Sequence, residues 1–258
     1  MTSSREPAVA GTFYPADPEV LAAGVDALLD SAPVPVGDPP AALVVPHAGH
    51  SCSGPVAATA YRQLRSARTV LVLGPGHFHD PGGLAVPECA AWRTPLGEVP
   101  IDVAACGRLV DGGMAHRSDH AHAGEHSIEV QLPFLQRALG RDWTLVPVVA
   151  GDVSAALVAD CIDALAGDGA VVVASSDLSH YHDEATARRL DERTAQAIVH
   201  REVAAIGQRD ACGAVIVRGL LEWALRHDRD VSLLDLATSA DTCGDRDRVV
   251  GYGAFAVA

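Results

Sequence analysis

Residues able to bind a metal or move a proton fall just past four apolar runs of this chain. His47 follows Ala41–Pro46 within Pro46-His47-Ala48-Gly49-His50, and His77 follows Thr69–Gly74 within Gly74-Pro75-Gly76-His77. Ala170–Ser175 runs into Ser176-Asp177-Leu178-Ser179-His180, and Val231–Ala237 into Ser239, Asp241 and Cys243. Imidazole is the commonest metal ligand and titrates near neutral pH. A carboxylate beside a histidine can orient it and raise its basicity, and Asp177 and His180 stand three residues apart, as on one face of a helical turn. Metal binding, acid–base catalysis or both are therefore the expected chemistry. Ordinary structural roles stay open beside these: a core histidine satisfied by a carbonyl for His47, a helix N-cap for Asp177.

The chain holds 12 histidines against four tyrosines and four phenylalanines. His116, His120, His122 and His126 cluster locally and read as a solvated loop with one or two members reaching the site. Glu125 and Glu129 are spaced i, i+4, so that one or both can face a cleft. Tyr14, Trp92 and Tyr181 are expected to line part of it.

The elements that must position these groups are legible as periodicity. Four apolar runs of six or seven residues read as buried strands, and Trp143–Ala150 and Val249–Val257 as two more. Helices are expected over 18–29, 54–64, 102–111 with Asp102 as N-cap, 125–139, 154–165, 184–199 and 213–226. Leu84–Pro87 and Arg93–Val99 read as short antiparallel pieces around a Pro95-Leu96-Gly97 turn. Strands alternating with helices predict one α/β domain over residues 1–258. Its three layers, α/β/α, would enclose a mostly parallel, mixed sheet. In such sheets ligands bind outside the carboxyl ends of the strands, which is where the candidate residues fall.

Composition excludes several classes. A net charge of −14 argues against nucleic acid, which demands clustered Lys and Arg, and against an anionic membrane surface. No apolar run approaches the roughly 18–20 residues that span a bilayer, and the first residues lack a signal-peptide core, which reads as cytoplasmic. The chain contains no lysine, so a Schiff-base lysine and a Walker A loop are both excluded. The six cysteines are dispersed and read as free, mostly buried thiols.

Taken in order, several segments resemble the Memo-like family, also called AmmeMemoRadiSam system protein B. They are Arg5–Pro15, Pro46–His50, Leu73–His77, Trp92–Gly97, Glu125–Glu129, Ser175–His180 and Val249–Tyr252. The resemblance implies a fold similar to the class III extradiol dioxygenases, which are non-heme iron enzymes. It implies that His47 and His77 are metal ligands and that His180, with Asp177 beside it, lines the metal pocket as an acid–base pair. Some animal members complete the site with a cysteine near the C-terminus. That position falls on Thr242 here, and Cys243 is one residue late. On a strand such a slip turns the thiol to the other face, whereas in a loop it could still reach. Cys243 and Asp241 are thus the leading third ligands, with Glu129 behind them.

Two histidines with a carboxylate or thiolate leave open positions for O₂ and substrate, the pattern of Fe(II) oxygenases. The expected activity is a mononuclear non-heme iron oxidoreductase acting on a small substrate, with Fe(II) as the metal and Cu or Zn as alternatives. A non-catalytic metal-binding adaptor of the same fold and a metal-dependent hydrolase are the competing readings. The family name points to AMMECR-type and radical-SAM proteins as partners.

Overall fold

The computed structural model describes residues 4–35, 37–167, 169–244 and 246–258. The strands are β1 (Ser4–Arg5), β2 (Ala42–Val45), β3 (Thr69–Pro75), β4 (Leu84–Val86), β5 (Ala91–Thr94), β6 (Gly97–Pro100), β7 (His116–Arg117), β8 (Thr144–Ala150), β9 (Ala170–Ser175), β10 (His180–His182), β11 (Val231–Thr238) and β12 (Val249–Val257). The helices are α1 (Pro18–Ser31), α2 (His50–Tyr61), α3 (Val103–Asp111), α4 (Asp119–His122), α5 (Leu132–Leu139), α6 (Ala155–Asp163), α7 (Glu184–Val199), α8 (Ala214–Arg226) and α9 (Ser239–Thr242).

β2, β9, β3 and β8 lie side by side and parallel, and form the centre of a mixed sheet. Their side chains are almost all apolar and buried, as expected for strands covered on both faces. Antiparallel strands finish the sheet on each side: β4 on β8, β12 on β2, and β11 and β10 on β12. β1, β5 and β6 make a separate small sheet, in which the hairpin of β5 and β6 turns at Pro95-Leu96.

Two helix groups sandwich the main sheet. α1, α2 and α5 pack on one another and α2 meets β2 and β12, while α6 packs on α8 and α8 meets β3 and β9. The α6–α8 contact is close because Gly219 carries no side chain; a Cβ there would stand 2.4 Å from Val158. α1 starts where the Asp17 carboxylate accepts the Glu19 and Val20 N–H groups ahead of Pro18, and it buries Leu21, Val25 and Leu29 at helical spacing. Asp102, Ser154 and Asp183 cap α3, α6 and α7 in the same way. No described helix is long and apolar enough to cross a membrane.

The α/β/α architecture with a mixed sheet matches the sequence expectation. Two local readings need correction. The expected helix over 125–139 is helical only from Glu129, first as a 3-10 turn and then as α5. The Glu125 carboxylate accepts the His126 and Ser127 N–H groups and both the ring and the backbone N–H of His77, and residues 125–128 are a loop held by these bonds. The cysteines are not all free. Cys52 and Cys243 form a disulfide across 191 residues of sequence, with Cα atoms 5.1 Å apart, because the fold sets α9 against α2. Cys89, Cys106 and Cys161 are free and buried, and Cys212 is free and partly buried.

Candidate metal centre

Parallel order explains how distant segments converge. β9 lies between β2 and β3, so the loops leaving the carboxyl ends of all three share one rim. β2 delivers His47, β3 delivers His77 and β9 delivers Asp177. The loop before the 3-10 turn adds His126. The His47, His77 and His126 rings offer one nitrogen each within 4.8 Å of one another, a group that could hold a metal ion. Ring centroids stand 5.2 Å apart for His47 and His77, 5.5 Å for His47 and His126, and 4.6 Å for His77 and His126. His47 is buried, His126 intermediate and His77 exposed, so the group opens to solvent on one side.

The ring of each histidine is held by a defined neighbour. Ser175 Oγ donates its proton to the Ser127 carbonyl at 2.5 Å and accepts from Gln131 Nε2 at 2.8 Å. It lies 2.9 Å from His47 Nδ1. Since the serine proton is already committed, His47 must donate from Nδ1, which leaves its Nε2 with the lone pair. Gln131 is oriented in turn by the Tyr61 hydroxyl, which donates to its Oε1 at 2.7 Å.

His77 is set by Glu125, whose carboxylate accepts from the ring Nδ1 at 2.9 Å and from the His77 backbone N–H at 2.6 Å. A carboxylate–histidine pair of this kind fixes the tautomer so that Nε2 can ligate. His126 packs against Phe13, and its Nδ1 is buried without a hydrogen-bond partner. Its Nδ1 stands 3.4 Å from Glu125 Oε1, and a third imidazole beside two with bare Nε2 atoms is a donor set a transition metal would satisfy.

Burial keeps the His47 and His126 rings neutral. Burial, with the neighbouring His77 and His126 rings, holds His47 well below the usual histidine range. Burial also lowers His126, although Glu125 opposes it. Burial alone would raise Glu125, but hydrogen bonds from the His77 ring and backbone and from Ser127 hold it well below the usual carboxylate range. Neutral imidazoles backed by a carboxylate are the ligating form.

Asp177 and His180 are both at this rim, but they are not joined as the sequence suggested. The Asp177 carboxylate accepts the His47 N–H at 2.7 Å and the Ala48 N–H at 3.3 Å, and burial pushes its carboxyl up. It therefore anchors the His47 loop. The His180 ring is oriented by its own loop instead, with Nδ1 donating to the Leu178 carbonyl at 2.8 Å, which leaves Nε2 as an acceptor.

The residues expected to supply a third ligand are engaged elsewhere. Cys243 is bonded to Cys52. Asp241 accepts the Thr238 N–H at 2.8 Å in a capping box and pairs with Arg188 at 2.5 Å. Glu129 is fully buried and accepts from Arg5, Ala8, Val9 and Tyr14 at 2.6–2.9 Å, so it locks the N-terminal segment onto the core. Of the aromatic residues expected in the cleft, Trp92 is fully buried beneath the Arg5 guanidinium. Tyr14 is buried and donates to Glu129, and Tyr181 is 65% exposed.

Sequence reading left His126 among a local cluster and gave Cys212 only the role of a free thiol, which it is. Cys212 precedes α8, and its Sγ stands 3.2 Å from His47 Nε2. Burial, then the Asp177 charge, pushes its thiol up to about 12. The Glu125-His126-Ser127-Ile128-Glu129 segment carried the signal for His126; for Cys212 the single residue gave none.

The sequence model of a family described as Memo-like protein matches residues 5–256. A MEMO1 family protein of Methanopyrus kandleri is 39% identical over 282 aligned residues, covering 97% of this chain and 98% of its own. Another, of Aquifex aeolicus, is 35% identical over 259 residues, covering 96% and 97%. Among solved structures, an uncharacterized protein of Escherichia coli K12 is 15% identical with a TM-score of 0.49, covering 82% of this chain and 98% of that one. Matches of 39% and 35% identity that run nearly end to end, together with the family match from residue 5 to residue 256, show that this chain belongs to the Memo-like family.

Proposed function

We propose that this protein is a mononuclear metal-dependent enzyme whose ligands are His47, His77 and His126. Its reaction in this reading is that of a non-heme Fe(II) oxidoreductase, dioxygenase-like, on a small substrate. The observation that carries the reading is the convergence of three ring nitrogens within 4.8 Å, with His47 and His77 held by Ser175 and Glu125 in the tautomer that leaves Nε2 bare. Iron bound there would supply redox chemistry with O₂.

The chain's own groups divide the remaining work. His180 Nε2, freed by the Nδ1 bond to Leu178, can accept a proton from a substrate hydroxyl or amine. Asp177 acts as a positioning residue, since it fixes the His47 backbone. The exposed His77 edge leaves room for a substrate to approach.

A second reading has specific support. Three imidazoles without a carboxylate are also the donor set of catalytic zinc, which activates water for hydrolysis. Metal content of protein purified without oxygen, wild type beside His47→Ala, separates the two. Near-stoichiometric iron lost in the variant is the expected result. Zinc in its place favours hydrolysis, and no metal in either protein favours the adaptor role and overturns the metal reading.

A further inference from the structure

The disulfide between Cys52 and Cys243 is open to solvent. Cys52 is partly exposed and Cys243 exposed, so a dissolved thiol can reach the bond. It also joins two segments that lead to the candidate centre. Cys52 lies in the first turn of α2, on the segment that has just delivered His47. Cys243 closes α9, whose Ser239 Oγ accepts the Val250 N–H at 3.1 Å. Val250 in turn pairs with His180 between β12 and β10. The bond thus spans from the segment carrying His47 to the one supporting His180.

The two sulfurs are unequal. The N-cap of α2 is Gly49, which offers no side-chain acceptor, and its first turn carries no acid. The positive end of this 12-residue helix therefore favours a negative charge on Cys52. Cys243 follows a helix of only four residues and is the more exposed of the pair. A thiolate that attacks Cys243 accordingly expels Cys52 as the better leaving group. Beyond Ser239, the other polar ties of the α9 end are local or exposed. They are the Thr238–Asp241 capping box, the Asp241–Arg188 ion pair and the bonds from the Cys243 and Gly244 N–H groups to the Ser239 carbonyl. A single helical turn does not sustain itself without tertiary support.

We propose that Cys52–Cys243 is a thiol–disulfide exchange site, reduced by a dithiol in the folded protein, and that its opening releases residues 240–244 from α2. The first thiolate of the reductant bonds to Cys243 Sγ as the protein's S–S bond breaks, and that electron pair leaves on Cys52. The second thiolate then closes the reductant's own disulfide and leaves an electron pair on Cys243. Two electrons pass from the dithiol to the protein, and the two protons given up by the reductant's thiols balance the two new cysteine thiols. The exchange needs no metal. Its consequence for the candidate centre is a slackened support under Val250 and His180.

Folded wild type, treated with dithiothreitol at stepped concentrations without denaturant and alkylated with iodoacetamide, tests this by peptide mass spectrometry. Cys52 and Cys243 should label together, while the buried Cys89, Cys106 and Cys161 stay unlabelled and report an intact fold. Amide hydrogen exchange across 240–244 and at Val250 should then rise at least about tenfold. The Cys52→Ser/Cys243→Ser variant should show the same rise without reductant. Early quenching of a reaction with glutathione, a monothiol, should place the mixed disulfide on Cys243; its placement on Cys52 would overturn the assigned leaving group. Labelling of the pair only in denaturant, or only together with the three buried cysteines, would overturn the exchange site and leave a structural staple. Labelling of both cysteines in air-oxidised protein without reductant would remove the disulfide itself. Unchanged hydrogen exchange in the reduced protein would overturn the release of 240–244.

Discussion

The Nδ1 of His47 and the Oγ of Ser175 lie 2.9 Å apart, and the serine has no proton left to offer because the Ser127 carbonyl already accepts it. The tautomer of the most buried histidine in the site is therefore written by the last residue of the neighbouring strand. Ser175→Ala removes that acceptor and also strands one Gln131 N–H. Metal affinity should fall by about 10- to 100-fold, with about 1–3 kcal/mol of lost stability from the unpaired donors. Chelator competition and urea unfolding read the two effects separately.

Glu125 performs the corresponding task for His77, and its oxygens also hold the 126–128 loop. Glu125→Gln keeps one oxygen acceptor but withdraws the charge that fixes the ring. The variant should fold and bind metal about 10- to 100-fold more weakly. Unchanged affinity by the same chelator competition would remove Glu125 from the site.

Glu129 provides the contrast. Its carboxylate pairs with the buried Arg5 guanidinium at 2.6 Å and touches none of the three rings' hydrogen-bonding nitrogens. Glu129→Gln leaves a buried cation unpaired, which costs about 3–5 kcal/mol. The urea midpoint should drop accordingly, while the folded fraction retains its full metal stoichiometry by mass spectrometry.

His122 predicts a pH dependence unrelated to the metal. Burial, reinforced by Arg5, lowers it to about 4, with Nε2 bonded to the Ala85 carbonyl at 3.1 Å. The unfolded chain titrates near the usual value of about 6.5. Between these pH values the unfolded state binds the extra proton, so stability rises with pH across this window. The loss on acidification from pH 7 to pH 4 should reach on the order of 3 kcal/mol, and His122→Gln should flatten that part of the profile in urea titrations at stepped pH.

Much of this molecule is determined by its sequence alone. Apolar runs such as Ala170–Ser175 read as strands buried on both faces, and Asp102 before an amphipathic run reads as a helix N-cap, because these choices rest on local periodicity, run length and capping. The same locality places His47, His77 and Asp177 at strand ends. Tertiary structure decided the rest. Strand order, with β9 set between β2 and β3, brings those ends together, and no window of sequence encodes that adjacency. The 125–128 loop escapes its helical pattern because His77 claims Glu125 from 48 residues away. Cys52 meets Cys243, Asp241 is taken by Arg188, and Cys212 reaches His47 from 165 residues away. Side chains find their partners by packing rather than by spacing, so the positions of His47 and His77 could be read from the chain, whereas the companions that tune them could not.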